Sequence, residues 1–235
     1  MKKKWNYFYY PFRVLFLLPK LPLKKYFFFL FLMTIMLSFI MIVGIYFFVD
    51  SILKVLLERY LLEFKYLLAV LNILLTLQLF FLFFAFYRII AQLVILPFLE
   101  PLRKALENKY NVPSAKETTF KQDIINMFYG LYKSILFILI YLFLFFLTIF
   151  LGPFQNVILF LYDSYILGNG IFDAYWEKDY PHPKERSKKL KEQKIEMLLT
   201  GMASTMILFI PIFGVFLSTI CGYMSVFFNH HRIRI

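Results

Sequence analysis

Met197-Leu-Leu-Thr-Gly-Met-Ala-Ser-Thr-Met-Ile-Leu-Phe-Ile210, Pro211-Ile-Phe-Gly214 and Val215-Phe-Leu-Ser-Thr-Ile-Cys-Gly-Tyr-Met-Ser-Val-Phe-Phe228 follow one another without a single charge. One spanning helix needs roughly 20 apolar residues to cross about 30 Å of hydrocarbon. This run is too long for one crossing and carries its helix breakers at the middle. Each arm has about 14 residues and reaches only ~21 Å at ~1.5 Å per residue. The pattern predicts a hairpin that enters the bilayer, turns at Pro211–Gly214 and leaves on the side it came from. A turn at that depth requires other protein or trapped water to satisfy its freed backbone groups.

The rest of the composition agrees with a lipid environment. Of 235 residues, 61% are hydrophobic and 22% aromatic, and the mean hydropathy is +0.71. No water-soluble domain of this size covers that much Phe and Leu. The net charge of +12 sits in clusters beside apolar spans, the distribution the positive-inside bias produces, so nucleic acid is not an expected partner. A lone cysteine, Cys221, excludes a disulfide framework and a thiolate metal cluster. His182, His230 and His231 have no carboxylate or cysteine at ligand spacing, so no metal is expected. There is no Walker A pattern, His-Glu-x-x-His, Gly-x-Ser-x-Gly or redox cysteine pair. We therefore expect no enzyme, no cofactor and no coupling to nucleotide hydrolysis.

Taken in order, the chain reads as one membrane domain, all-α, over 1–235. Residues 1–21 place Trp5, Tyr7, Phe8, Tyr9 and Tyr10 beside Lys2–Lys4, a mixture suited to the headgroup layer, and predict an interfacial helix around 11–18. Residues 22–109 hold two long transmembrane helices, with apolar spans at Tyr26–Val49 and Tyr66–Leu96 and a charge-balanced stretch at 50–65 between them. Arg103, Lys104 and Lys109 follow the second. Residues 120–172 form a first re-entrant hairpin, whose apolar run Ser134–Leu161 breaks at Gly152-Pro153; proline suits the first turn of a new helix. Residues 173–196 are a basic amphipathic segment containing Lys178, Lys184, Arg186, Lys188, Lys189, Lys191 and Lys194, with Glu185 four before Lys189 for a supporting pair. Residues 197–228 are the second re-entrant hairpin. The Lys/Arg-rich segments and both termini are placed in the cytoplasm by the positive-inside rule, and arm length favours partial penetration by both hairpins.

Several stretches resemble the CysZ sulfate permeases, which share their domain with the eukaryotic etoposide-induced membrane proteins. Phe12-Arg-Val-Leu-Phe-Leu-Leu-Pro-Lys-Leu-Pro-Leu-Lys-Lys-Tyr26 resembles that family's N-terminal segment. Leu96-Pro97-Phe98-Leu99-Glu100-Pro101-Leu102 resembles its exit from the second helix. Phe172-Asp173-Ala174-Tyr175-Trp176 resembles the segment before its basic helix, and Ile210-Pro211 through Cys221-Gly222 its final hairpin. The resemblance implies two long transmembrane helices, two partly penetrating hairpins, a homo-oligomer in the inner (cytoplasmic) membrane, and sulfate uptake. The family's Gly-Leu-Arg is here Pro22-Leu23-Lys24. Proline removes a backbone donor, and lysine replaces a bidentate fork with a point charge.

Two groups of residues are candidates for holding an oxyanion. Leu23, Lys24 and Lys25 lie at a helix N-terminus, where free amides and the dipole favour negative charge; anchoring to lipid headgroups would use the same residues. At the hairpin turns, Gly152 and Gly214 begin second arms whose N-termini point into the membrane, as the broken helices of transporters do toward anionic substrates. Gln155 and Asn156 flank the first turn and can serve either an anion or the turn's own carbonyls. Together these predict a channel-like permease for sulfate or a similar oxyanion. A non-transporting membrane-shaping scaffold is the alternative, since half-inserted hairpins take more area in one leaflet.

Overall fold

A computed structural model describes residues 2–18, scattered helical positions between 32 and 47, and residues 99–113, 119–210 and 214–233. Regular structure among the described residues is helical throughout. The two long transmembrane helices expected over 22–109 lie mostly outside them. Leu32, Ile35, Met36, Phe39, Val43 and Phe47 of the first span are helical and exposed, as lipid-facing positions would be.

Helix α1 spans Lys2–Leu17 and carries Pro11 in its interior. It is longer than the sequence predicts because the proline is accommodated. A helical proline lacks the N–H that would bond the carbonyl four residues earlier, here that of Tyr7. The hydroxyl of Thr200, from the other end of the chain, donates to the Tyr7 carbonyl at 3.3 Å. Val14 and Leu18 are buried, while Trp5, Tyr9 and Phe16 stay exposed. One face thus enters the bundle, and the other keeps the aromatic character suited to an interface.

Helix α2 spans Phe120–Thr148, a 3₁₀ turn covers Ile149–Leu151, and α3 spans Pro153–Trp176. At ~1.5 Å per residue these arms are about 43 and 36 Å long. The helices continue past the apolar run at both ends, so the arms are much longer than that run implied. Both are long and apolar enough to cross a membrane, over Ile124–Thr148 and Phe154–Trp176. Between them Gly152 has φ 55°, a left-handed conformation that costs glycine little, and Pro153 opens the new helix. The second arm ends at Trp176, a few residues beyond the expected boundary at 172.

Helix α4, Pro183–Glu192, places Glu185 in its first turn and Lys189 and Lys191 in its last, matching the helix dipole. Lys189 pairs with Glu192 at 3.2 Å, three residues on, rather than with Glu185. Gln193 breaks the helix for one residue before α5, Lys194–Leu208. Helix α6 spans Gly214–His230. These last two arms reach about 22 and 25 Å, short of ~30 Å of hydrocarbon. The turn residues 211–213 lie outside the described set.

Helices α1, α3, α5 and α6 pack together around a core that includes Phe172, Tyr175, Met197, Tyr223, Phe227 and Phe228. The helical stretch 99–110 adds Leu99, Leu102 and Leu106. Helix α2 packs chiefly against α3, leaving Phe143, Phe146 and Leu147 exposed.

The closest approach within the bundle is made by two glycines. A Cβ on Gly201 would sit 1.8 Å from the Ser164 carbonyl oxygen, and one on Gly168 would sit 1.9 Å from that of Met197. Small residues let backbones meet where lipid gives helices no hydrophobic reason to associate. Replacing Gly201 with Ala must push α3 and α5 apart, at a cost of about 3 kcal/mol by analogy with overpacked cores. Gly130→Ala, where a Cβ meets nothing within 4 Å, should be neutral or gain up to ~1 kcal/mol of helix propensity. Thermal unfolding of the two variants in detergent checks the contrast; equal effects would remove the glycine contact from this account.

Candidate functional site

The described hairpin tips and the charged groups at the opposite end of the bundle are the candidate regions. At the first tip, Gln155 is buried and its side-chain amide donates to the Phe145 carbonyl at 2.9 Å. The Thr148 hydroxyl donates to the Leu144 carbonyl at 2.6 Å, and the Gln155 backbone N–H reaches the Gly152 carbonyl at 3.1 Å. The Phe145 carbonyl is among the last four of α2, which a helix end leaves without partners, while the Thr148 bond is back-bonding to the preceding turn of its own helix. The Gln155 side chain is therefore committed to the turn itself. Asn156 and Gly152 remain exposed, among Phe150 at 93% exposure, Phe154 and Val157.

At the second tip, Gly214 is buried, and its N–H bonds to the Ile210 carbonyl at 2.9 Å. A Cβ there would lie 2.1 Å from the Leu208 carbonyl oxygen, so the chain closes on itself too tightly for any other residue. The third expected group, Leu23, Lys24 and Lys25, falls outside the described residues.

A polar seam runs between the hairpins. Ser164, Asn169, Thr200, Ser204 and Thr205 are all at most 5% exposed. Ser164 and Thr205 share a hydrogen bond of 3.3 Å, whereas the hydroxyls of Ser218 and Thr219 turn back to the Val215 carbonyl of their own helix. The Ser204 hydroxyl and the Asn169 Oδ1 have no hydrogen-bond partner.

Two ionic clusters lie beyond the seam, and sequence reasoning missed both by treating their cations as solvated topology signals. In the first, Arg103 is 3% exposed. It donates to Glu107 at 2.7 Å, to the Tyr175 carbonyl at 2.7 Å and to both Asp179 oxygens at 3.1 and 3.2 Å. Its guanidinium also covers the Tyr175 ring at 4.9 Å. Two carboxylates and a carbonyl thus hold one buried cation. Only the i, i+4 spacing of Arg103 and Glu107 was visible beforehand. In the second, Arg186 and Lys133 share Asp173, at 2.7 and 3.4 Å. No local spacing announces a contact among residues 133, 173 and 186.

An aromatic patch adjoins the Arg103 cluster. The His230 ring packs on Trp176 with centroids 4.8 Å apart, and the Tyr175 hydroxyl is hydrogen-bonded to His231 Nε2 at 3.2 Å. Burial, joined by Arg103 and Lys189 and opposed by Asp179, lowers the His230 pKa below its ordinary 6.5. Burial likewise lowers that of His231, helped by His230 and Arg103. The unfolded chain then takes these protons first. Their contribution to stability is complete above about pH 6.5 and is lost as pH falls through the lower folded values.

Two predictions follow from this geometry. Gln155→Ala leaves the Phe145 carbonyl without its donor and should cost about 1–2 kcal/mol in thermal unfolding. In a Trp5→Phe background, Trp176 fluorescence should fall on acidification with a midpoint below 6.5, as a charged imidazole comes to face the indole. His230→Gln should abolish that titration; its persistence would exclude His230 as the titrating group.

The family model described as Sulfate transporter CysZ/Etoposide-induced protein 2.4 matches residues 10–218. No curated protein and no solved structure matches the chain. The matched stretch runs from α1 into the start of α6 and takes in the first hairpin, both ionic clusters and the second hairpin as far as residue 218. The chain, whose described residues form helices throughout and include two long and apolar enough to cross a membrane, belongs to the sulfate transporter CysZ/etoposide-induced protein 2.4 family.

Proposed function

We propose that the protein is a channel-like permease for sulfate or a similar small oxyanion, acting as a homo-oligomer in the cytoplasmic membrane. The observation that carries this reading is the family match across residues 10–218, on a chain whose first hairpin presents apolar side chains outward over most of its length. In the proposed orientation the Lys/Arg-rich segments and both termini face the cytoplasm. Both hairpins enter and leave on that side. From Lys133 to the Gly152 tip, about 15 helical residues and one 3₁₀ turn cover ~28 Å, so the first hairpin would reach most of the way across. The second, with arms of about 22 and 25 Å, would stop short.

Charge supports an anion as cargo. Lys24 and Lys25 would draw an oxyanion toward the first long helix, with Leu23 amides beside them. Gly152, Asn156 and Gly214 would bring helix N-termini to membrane depth, where a partial positive charge is least screened. The hydroxyl-lined seam between α3, α5 and α6 offers further polar groups along the bundle. Phe-rich outer faces would meet lipid or neighbouring copies.

Radiolabelled sulfate uptake into proteoliposomes tests the proposal. Saturable uptake above empty vesicles is expected, reduced at least tenfold by a Lys24→Gln, Lys25→Gln double variant, since each charge-assisted contact is worth about 1.5–3 kcal/mol. Uptake indistinguishable from empty vesicles would reject it. Vesicle reshaping without flux would point instead to the membrane-shaping scaffold.

A further inference from the structure

At the base of the first hairpin two cations share one carboxylate. Asp173 of α3 accepts from Arg186 Nε of α4 at 2.7 Å and from Lys133 Nζ of α2 at 3.4 Å. The three side chains are only 14%, 2% and 17% exposed, in that order. Both cations also lie 5.7 Å from the centre of the Tyr129 ring, which cushions them but cancels no charge. The cluster is left with one positive charge in excess, in a setting where an uncompensated charge is costly.

Asn126 of α2 completes the group. It is 5% exposed, and its Oδ1 accepts from Arg186 Nη1 at 3.4 Å. That contact fixes the amide's orientation, because a reversed amide would set N–H against N–H. Its Nδ2 is then buried with no hydrogen-bond partner. A water molecule could receive the Asn126 proton but would leave the excess charge. An anionic oxygen answers both deficits at once.

We infer that Asn126, Lys133 and Arg186 form a binding site for a tetrahedral oxyanion, either a free sulfate or phosphate or the phosphate of a lipid headgroup. Asn126 Nδ2 donates a hydrogen bond, and Arg186 and Lys133 supply the opposing charge. Asp173 holds the two cations in place and limits the net charge to one. The start of α2 is fastened to the loop before α4 by Gln122, whose amide donates to the Pro181 carbonyl at 2.6 Å, so three helices present the site. It lies apart from the Gly152 tip of the first hairpin, and it requires oxyanion binding but not transport.

The test is Asn126→Asp in the full-length protein. The new carboxylate still accepts from Arg186, so folding is retained, but it removes the orphaned donor and neutralises the cluster. Sulfate binding is measured by calorimetry in detergent, with chloride at equal ionic strength as the control. Wild type should bind sulfate and the variant at least roughly tenfold more weakly, the loss expected for a charge-assisted hydrogen bond. Lys133→Gln should weaken it in the same direction.

The two sources of the oxyanion are separated in nanodiscs of phosphatidylcholine with or without phosphatidylglycerol. Undiminished sulfate binding in both identifies the free anion. Displacement by phosphatidylglycerol, itself weakened by Asn126→Asp, identifies a headgroup phosphate. If a melting scan shows the variant folded and neither sulfate nor lipid binding depends on Asn126, the site does not exist. Failure of the flux assay on wild type would overturn the permease reading and leave this result untouched.

Discussion

The contact between Gly168 and Gly201 is the constraint on which the bundle depends. Hydrocarbon solvates apolar helices as well as other helices do, so association needs close packing or polar contacts. Here two backbones touch, carbonyl against glycine, without room for a methyl on either side. That contact sets the register of α3 against α5. The register brings Ser164 to Thr205, and it carries α6 along, where Gly222 accommodates Ile171 and Ser204. It also presents Thr200 to α1. A looser crossing would leave each of these polar groups without its present neighbour.

The first hairpin is chemically uneven from end to end. Its tip is mostly apolar outside, with Asn156 exposed, and Gln155 and Thr148 are committed to its own backbone. Its base has the opposite character, with Lys133, Asp173, Arg186 and Asn126 drawn together at low exposure. The neighbouring Arg103 cluster is different again, having two carboxylates for one cation. One cluster is over-supplied with negative charge and the other with positive. Small anions would distinguish between them.

Much of this fold was legible because it rests on local rules. Gly152-Pro153 and Pro211–Gly214 break apolar runs, and helices end or begin there. Arm length in the first hairpin was not legible, since hydropathy ends at Lys133 and Leu161 while the helix does not. Charged residues on either side are good helix formers, and tertiary pairing spares them the need for water. The ionic clusters were hidden for a related reason. Arg186 lies in a strongly basic stretch that reads as a solvated face, and only the chain's path brings Asp173 and Asn126 to it. Of the expected site residues, Gln155 could have been read either way, and its hydrogen bond to Phe145 gives it a structural task.

The exchange between Pro11 and Thr200 has a consequence for how the molecule is made. Tyr7 and Thr200 are 193 positions apart, yet one supplies the acceptor that the other's hydroxyl needs. During synthesis α1 therefore leaves the ribosome with a gap in its ladder that Thr200 of α5, made much later, closes. Contacts of such long separation form late. Helix α1, translated well before α5, is thus among the later segments to be locked in place, held as a latch that engages once α5 has arrived.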